Sequence, residues 1–181
     1  MLKRVICAVS LTLVFASLTL ADAQWAGPGY SSTAGAWEDA SNWGGVLPTA
    51  SDSIVKAYLS SGSGSNITIS SDVSGGVKLQ MKDGKSKITI NSGGTLTNSG
   101  LVEMHSGTTS EVEIKAGGTW NACTSASGAN FLLSTNGPSK DTVSVWGTLN
   151  IIDGSNNPQL TIGTTGSATG YGTLNIYGGG I

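Results

Sequence analysis

The sequence predicts an all-β chain wound as a right-handed parallel β-solenoid behind an N-terminal aromatic cap, and three observations predict it. Apolar residues come in alternating groups of three or four, too short for helices. Gly, Ser, Asn and Asp, which accept turns and positive φ, stand between the groups. One glycine-led tetrapeptide recurs at the spacing of a coil.

The chain opens with Lys3 and Arg4, followed by an apolar run from Val5 to Leu20 broken only by Ser and Thr. This is the layout of a secretory signal peptide, with cleavage expected after Ala21-Asp22-Ala23, so that Gln24 becomes the first mature residue. Ser10, Thr12, Ser17 and Thr19 argue against a membrane anchor, and no membrane span is expected in the mature chain.

Residues 24–52 form the expected cap. They hold Trp25, Trp37 and Trp43 with Pro28 and Pro48, a composition unlike the rest of the chain. The first coil of a solenoid exposes its core, so an atypical terminal unit is needed there. Trp37 and Trp43 are candidates either for plugging that end or for stacking on sugar rings.

Residues 53–181 are the expected coils. Their apolar groups include Ile67-Thr68-Ile69, Val77-Lys78-Leu79, Ile88-Thr89-Ile90, Val112-Glu113-Ile114, Phe131-Leu132-Leu133, Val143-Ser144-Val145 and Leu160-Thr161-Ile162. In a strand the outer pair of each triplet faces the interior and the middle residue faces solvent. The tetrapeptides Gly94-Thr95-Leu96-Thr97, Gly118-Thr119-Trp120-Asn121, Gly147-Thr148-Leu149-Asn150 and Gly172-Thr173-Leu174-Asn175 follow one another at closely similar intervals. Equivalent places in successive coils would put Leu96, Trp120, Leu149 and Leu174 in one interior column. Two outward ladders would flank it: Thr95, Thr119, Thr148, Thr173 beside Thr97, Asn121, Asn150, Asn175. A β-sandwich is the alternative architecture, since short strands at close intervals also suit it, but a sandwich has no reason to repeat one tetrapeptide at coil spacing. The chain stops at Gly178-Gly179-Gly180-Ile181 in the middle of the turn pattern, so either a truncated longer protein or self-association through the C-terminal coil is expected.

Composition narrows function. The mature chain has seven Lys, no Arg and ten Asp plus Glu, a formal charge of −3. It therefore lacks the basic stripe that nucleic-acid binding requires. Cys7 leaves with the signal, so Cys123 is the single cysteine of the mature chain, and an intrachain disulfide is not possible. His105 is the one histidine, placed before Ser106-Gly107 in a turn, which leaves no Cys–His or Ser–His pairing written in the sequence. Glu111 and Glu113 alternate with Val112 and Ile114, the pattern of a solvated strand face rather than of a glycosidase pair. A uronate lyase would need Arg, Lys or bound calcium at its site, and the mature chain has no Arg and no Gly-Gly-x-Gly-x-Asp series. No catalytic residue, metal or cofactor is expected.

The string Trp37-Glu38-Asp39-Ala40-Ser41-Asn42-Trp43, then Leu47-Pro48 and Ser51-Asp52-Ser53-Ile54, resembles the start of large secreted bacterial β-helix proteins of the autotransporter-like and PEP-CTERM-associated kind. The Ile-x-Ile groups and the stretch from Gly172 to Gly180 are similar to the coils of those proteins, while a C-terminal sorting helix with a basic tail and an outer-membrane barrel are missing. The resemblance implies a secreted or cell-surface structural or adhesive module, with extracellular polysaccharide or cell-envelope components as partners. The outward Thr and Asn ladders leave two alternatives, a carbohydrate-binding or polysaccharide-active β-helix and an ice-binding solenoid.

Overall fold

A computed structural model describes residues 22–25, 34–58, 64–82, 85–104, 109–124, 130–134, 139–151, 159–163 and 170–178. Each circuit of the chain adds strands to a stack of three parallel sheets. The first sheet holds β1 (Asp22–Gln24), β3 (Ile54–Lys56), β6 (Lys78–Met81), β9 (Val102–Met104), β12 (Asn130–Leu133) and β15 (Gln159–Ile162), in that order. The second holds β2 (Ala34–Ala36), β4 (Asn66–Ile69), β7 (Lys87–Ile90), β10 (Glu111–Ile114), β13 (Lys140–Val145) and β16 (Tyr171–Ile176). The third holds β5 (Asp72–Ser74), β8 (Thr95–Thr97), β11 (Thr119–Ala122) and β14 (Thr148–Ile151). Every described strand pair is parallel, which is the predicted solenoid and excludes the sandwich.

The register converts the apolar triplets into interior columns. Ile67, Ile88, Val112 and Val143 align in the second sheet, and Ile69, Ile90, Ile114 and Val145 align beside them. All eight are buried. In the first sheet Val55, Leu79, Val102 and Phe131 form the equivalent buried column. One triplet reads differently from expectation. The inward pair of β6 is Leu79 and Met81, and Val77 lies outside the strand, 37% exposed, because the pairing of Leu79 with Val55 and Val102 fixes the register one pleat later.

The third sheet carries the recurring tetrapeptide. Val73, Leu96, Trp120 and Leu149 align as one interior column, and the Trp120 indole nitrogen donates to Asn98 Oδ1 at 3.1 Å, which satisfies its polar edge inside the core. The leading glycines are dictated by crowding at the corner between the second and third sheets. A Cβ on Gly118 would lie 2.7 Å from the Ile90 carbonyl oxygen and 2.9 Å from that of Asn91, and Gly94 and Gly147 meet carbonyl oxygens of the coil below in the same way. Gly118→Ala is therefore expected to destabilise the protein by about 1–3 kcal/mol, read as a lowered urea midpoint with unchanged slope.

The fourth tetrapeptide does not join that column. Leu174 pairs with Val143, so Gly172-Thr173-Leu174-Asn175 lies on the second sheet, with Gly172 beside Asp141 and Thr173 beside Thr142. The interval from Gly147 to Gly172 resembles a coil, but the circuit here is longer, because the partner of Leu174 is Val143, which precedes Gly147 in the chain. Gly172 also has its own steric cause: a Cβ there would lie 2.9 Å from the Leu133 carbonyl oxygen and from Ile162 Cγ2.

The aromatic segment supplies the first coil and covers it. Trp25 follows β1 and donates its backbone N–H to the Lys56 carbonyl, which sets it over Ala57. Trp37 follows β2 and donates to the Thr68 carbonyl, which sets it over Ile69. A 3-10 turn, Ala40–Trp43, is capped by Asp39, whose carboxylate accepts from the Ser41 amide, and it brings Trp43 between the other two indoles. β1 overlaps the expected cleavage point: Asp22 and Ala23 pair with Ile54 and Val55, and Asp22 forms an ion pair with Lys56 at 2.9 Å. Cleavage after Ala23 would leave Gln24, whose side chain donates to the Tyr58 carbonyl, and Trp25 to hold this edge.

Candidate functional site

The two tryptophans named as candidates for sugar stacking are interior residues. Trp37 is 1% and Trp43 6% exposed, with ring centroids 4.7 Å apart, and the Trp43 indole nitrogen donates to the Trp37 carbonyl at 2.9 Å. Trp37 is closed to solvent, and the small exposed part of Trp43 lines a shallow cavity with Gln24, Val46 and Leu47. Gly35 makes this closure possible, since a Cβ there would lie 2.9 Å from both Trp25 and Asn42.

The outward ladders exist, shortened and divided. Thr95, Thr119 and Thr148 align on the third sheet, as do Thr97, Asn121 and Asn150, with Asp72 and Ser74 below them. Asn150 Nδ2 donates to Asn121 Oδ1 at 2.9 Å, so part of this ladder is spent on its own neighbours. Thr173 and Asn175 stand on the second sheet instead, beside Thr142 and Ser144.

That second sheet carries the most varied outer surface. Lys87, Glu111, Thr142 and Thr173 align in one outward column, and Thr89, Glu113, Ser144 and Asn175 in the next. Lys87 Nζ lies 3.0 Å from a Glu113 oxygen and 4.0 Å from Glu111. At the corner beyond the second column, Trp146 and Tyr177 stack with centroids 4.2 Å apart and planes within 4°. They are 40% and 43% exposed. A shallow groove of about 190 Å³ opens here, lined by Lys87, Glu111, Glu113, Thr142, Ser144 and Trp146. Trp146 stands between β13 and β14, where the sequence pattern predicts turn residues, so nothing in that pattern marks it.

Two polar clusters lie elsewhere. On the first sheet, burial would raise the Glu103 carboxyl, but Lys78 at 2.9 Å, the Gln80 amide at 2.8 Å and Lys82 at 3.5 Å hold it below the usual carboxylate range. At the corner between the first and second sheets, Asp141 takes the place that Ser110 occupies one coil below. It is 1% exposed, and burial pushes its carboxyl up, only partly offset by the Ser110 amide and neighbouring serine hydroxyls. Asp141 Oδ2 lies 2.9 Å from Ser134 Oγ, which also receives the Asp141 backbone N–H and lies 3.0 Å from the Tyr171 carbonyl. The Ser134 hydroxyl donates towards both Asp141 Oδ2 and the Tyr171 carbonyl, so its one proton is divided between two acceptors and only partly compensates the buried carboxylate. Asp141 thus retains its proton at pH values where the unfolded chain has lost it, and its contribution to stability falls as pH rises through the raised value. Asp141→Asn is expected to flatten this pH dependence, with a melting temperature gain over the parent that grows from pH 4 to pH 7.

Cys123 is buried and adopts a left-handed φ of 61°, a packing position with no access for a nucleophile's substrate. His105 lies outside the described residues. Among the described residues no cluster of three or more His, Cys, Asp or Glu is placed to hold a metal ion, and no helix is long and apolar enough to cross a membrane. No protein-family model matches the sequence, and no curated protein or solved structure compared with it matches either.

Proposed function

We propose that the protein is an exported, non-catalytic surface module of structural and adhesive role. The observation that carries this reading is the outer face of the second sheet, where polar side chains align in register from coil to coil across five of its six parallel strands, β4, β7, β10, β13 and β16. Such a face presents varied polar groups at a regular strand spacing, suited to many weak contacts along its length rather than to enclosing a reacting molecule. The resemblance to secreted bacterial β-helix proteins supports the same reading, with extracellular polysaccharide or cell-envelope components as the partners in keeping with it. Produced in a bacterial host with its own segment from Met1 to Ala23 in place, the chain should leave the cytoplasm with Gln24 at its N terminus. Beads coated with it should be retained on cell-envelope preparations. Cytoplasmic retention with Met1 intact, or no retention of the beads, would overturn the proposal.

A second reading is favoured by the aligned Thr95, Thr119 and Thr148 hydroxyls, spaced at the strand separation of about 4.8 Å. Such a row can order water against an ice surface. Thermal hysteresis in dilute protein, lost in Thr119→Tyr, would establish it.

A further inference from the structure

We propose that the groove on the second sheet beneath Trp146 binds one ring of a neutral, hydroxyl-rich glycan chain. The inference rests on the adhesive reading above and gives it a ligand class and a place. Tyr177 covers the indole from the β16 side, whereas the groove residues come from β7, β10 and β13, on the side away from it. The indole is therefore shared between a structural stack and an open groove. The C–H face of a pyranose is apolar and matches an aromatic ring, while its rim of hydroxyls needs acceptors and donors close by. The groove supplies both kinds: Glu111 and Glu113 as acceptors, Lys87 as a donor, Thr142 and Ser144 as either. Glu111 is half exposed and only 4.0 Å from Lys87 at its nearest, so its oxygens retain capacity for vicinal hydroxyls.

Charge selects the glycan. Two carboxylates face one ammonium in the groove, and the mature chain is acidic, so a uronate or sulfated sugar would be repelled. The volume of about 190 Å³ admits a single ring, with the polymer continuing along the sheet towards Thr173 and Asn175.

Affinity electrophoresis of the purified chain through gels containing xyloglucan, galactomannan, mixed-linkage β-glucan, starch or alginate tests the proposal. Retardation is expected in at least one neutral polysaccharide and not in alginate. Trp146→Ala should weaken it by about tenfold, the scale of one lost aromatic contact, and Trp146→Phe should restore part of it. Fluorescence gives a second readout. The other four tryptophans are at most 6% exposed, so iodide quenching reports chiefly on Trp146 and should fall when the retarding polysaccharide is added. Glu113→Gln, on the solvated face, keeps the test open should Trp146→Ala fold poorly, and it too should weaken retardation. No retardation in any neutral polysaccharide, equal retardation of folded Trp146→Ala, or retardation in alginate alone would overturn the proposal. Export and bead retention are read separately, so glycan binding can fail while the surface role stands, and a cytoplasmic protein could still be retarded.

Discussion

Trp120→Ala is expected to lower the stability of the protein by about 3–5 kcal/mol, the range for deleting a large buried aromatic. The ring is fully buried in the third-sheet column, packs edge-on against Phe131 with centroids 5.0 Å apart, and bridges to Asn98 through its indole nitrogen. Truncation leaves a cavity at the centre of the stack and a buried Asn98 oxygen without its donor, and the two effects add. In equilibrium denaturation the midpoint should drop steeply, and Trp120→Phe should recover the packing part of the loss but not the hydrogen bond. An unchanged midpoint in Trp120→Ala would contradict the column. Leu149, the neighbour above, is only half-buried, so Leu149→Asp should cost less than Leu96→Asp, whose site is fully buried.

Trp43→Ala is expected to act at the other end with comparable size, about 3 kcal/mol or more. Its ring meets Trp25 edge-on at 5.1 Å and Trp37 at 4.7 Å, and together the three indoles cover the interior columns of the first two sheets. Removing it opens that end to water and uncovers parallel strands to other chains. The expected result is a lowered melting temperature together with concentration-dependent association in sedimentation velocity. A monomer melting as the parent does would show that the indole cluster does not seal the fold.

The solenoid was legible because the same physical constraint recurs in every coil. Ile67/Ile69, Ile88/Ile90 and Val112/Ile114 each need their flanking residues inside, and Gly94, Gly118 and Gly147 each pass a carbonyl too closely for a Cβ. The Leu174 assignment failed because two different corners demand glycine, and both happen to be followed by Thr-Leu-Asn. Only the pairing of β13 with β16 separates them, and that depends on the lengths of the connecting segments. The roles of Trp37 and Trp43 were open for a similar reason, since a tryptophan that plugs a core and one that binds a sugar are the same residue type. The small residues Gly35 and Ala57 give no signal for either, because both lie against Trp25. Asp141 gave none until alignment placed it above Ser110, where a serine-sized polar group is the rule.

The second-sheet interior column formed by Ile114, Val145 and Ile176 has a consequence for how the molecule opens. Exposure along it rises from 0% to 5% to 75%, while the indole-sealed coils at the opposite end remain closed to solvent. Because each coil touches only those next to it, amide protons should exchange in a graded wave, fastest in β16 and slowest around β7 and β10. Under load the stack would then lose one circuit at a time, with the indole-sealed coils the last to open.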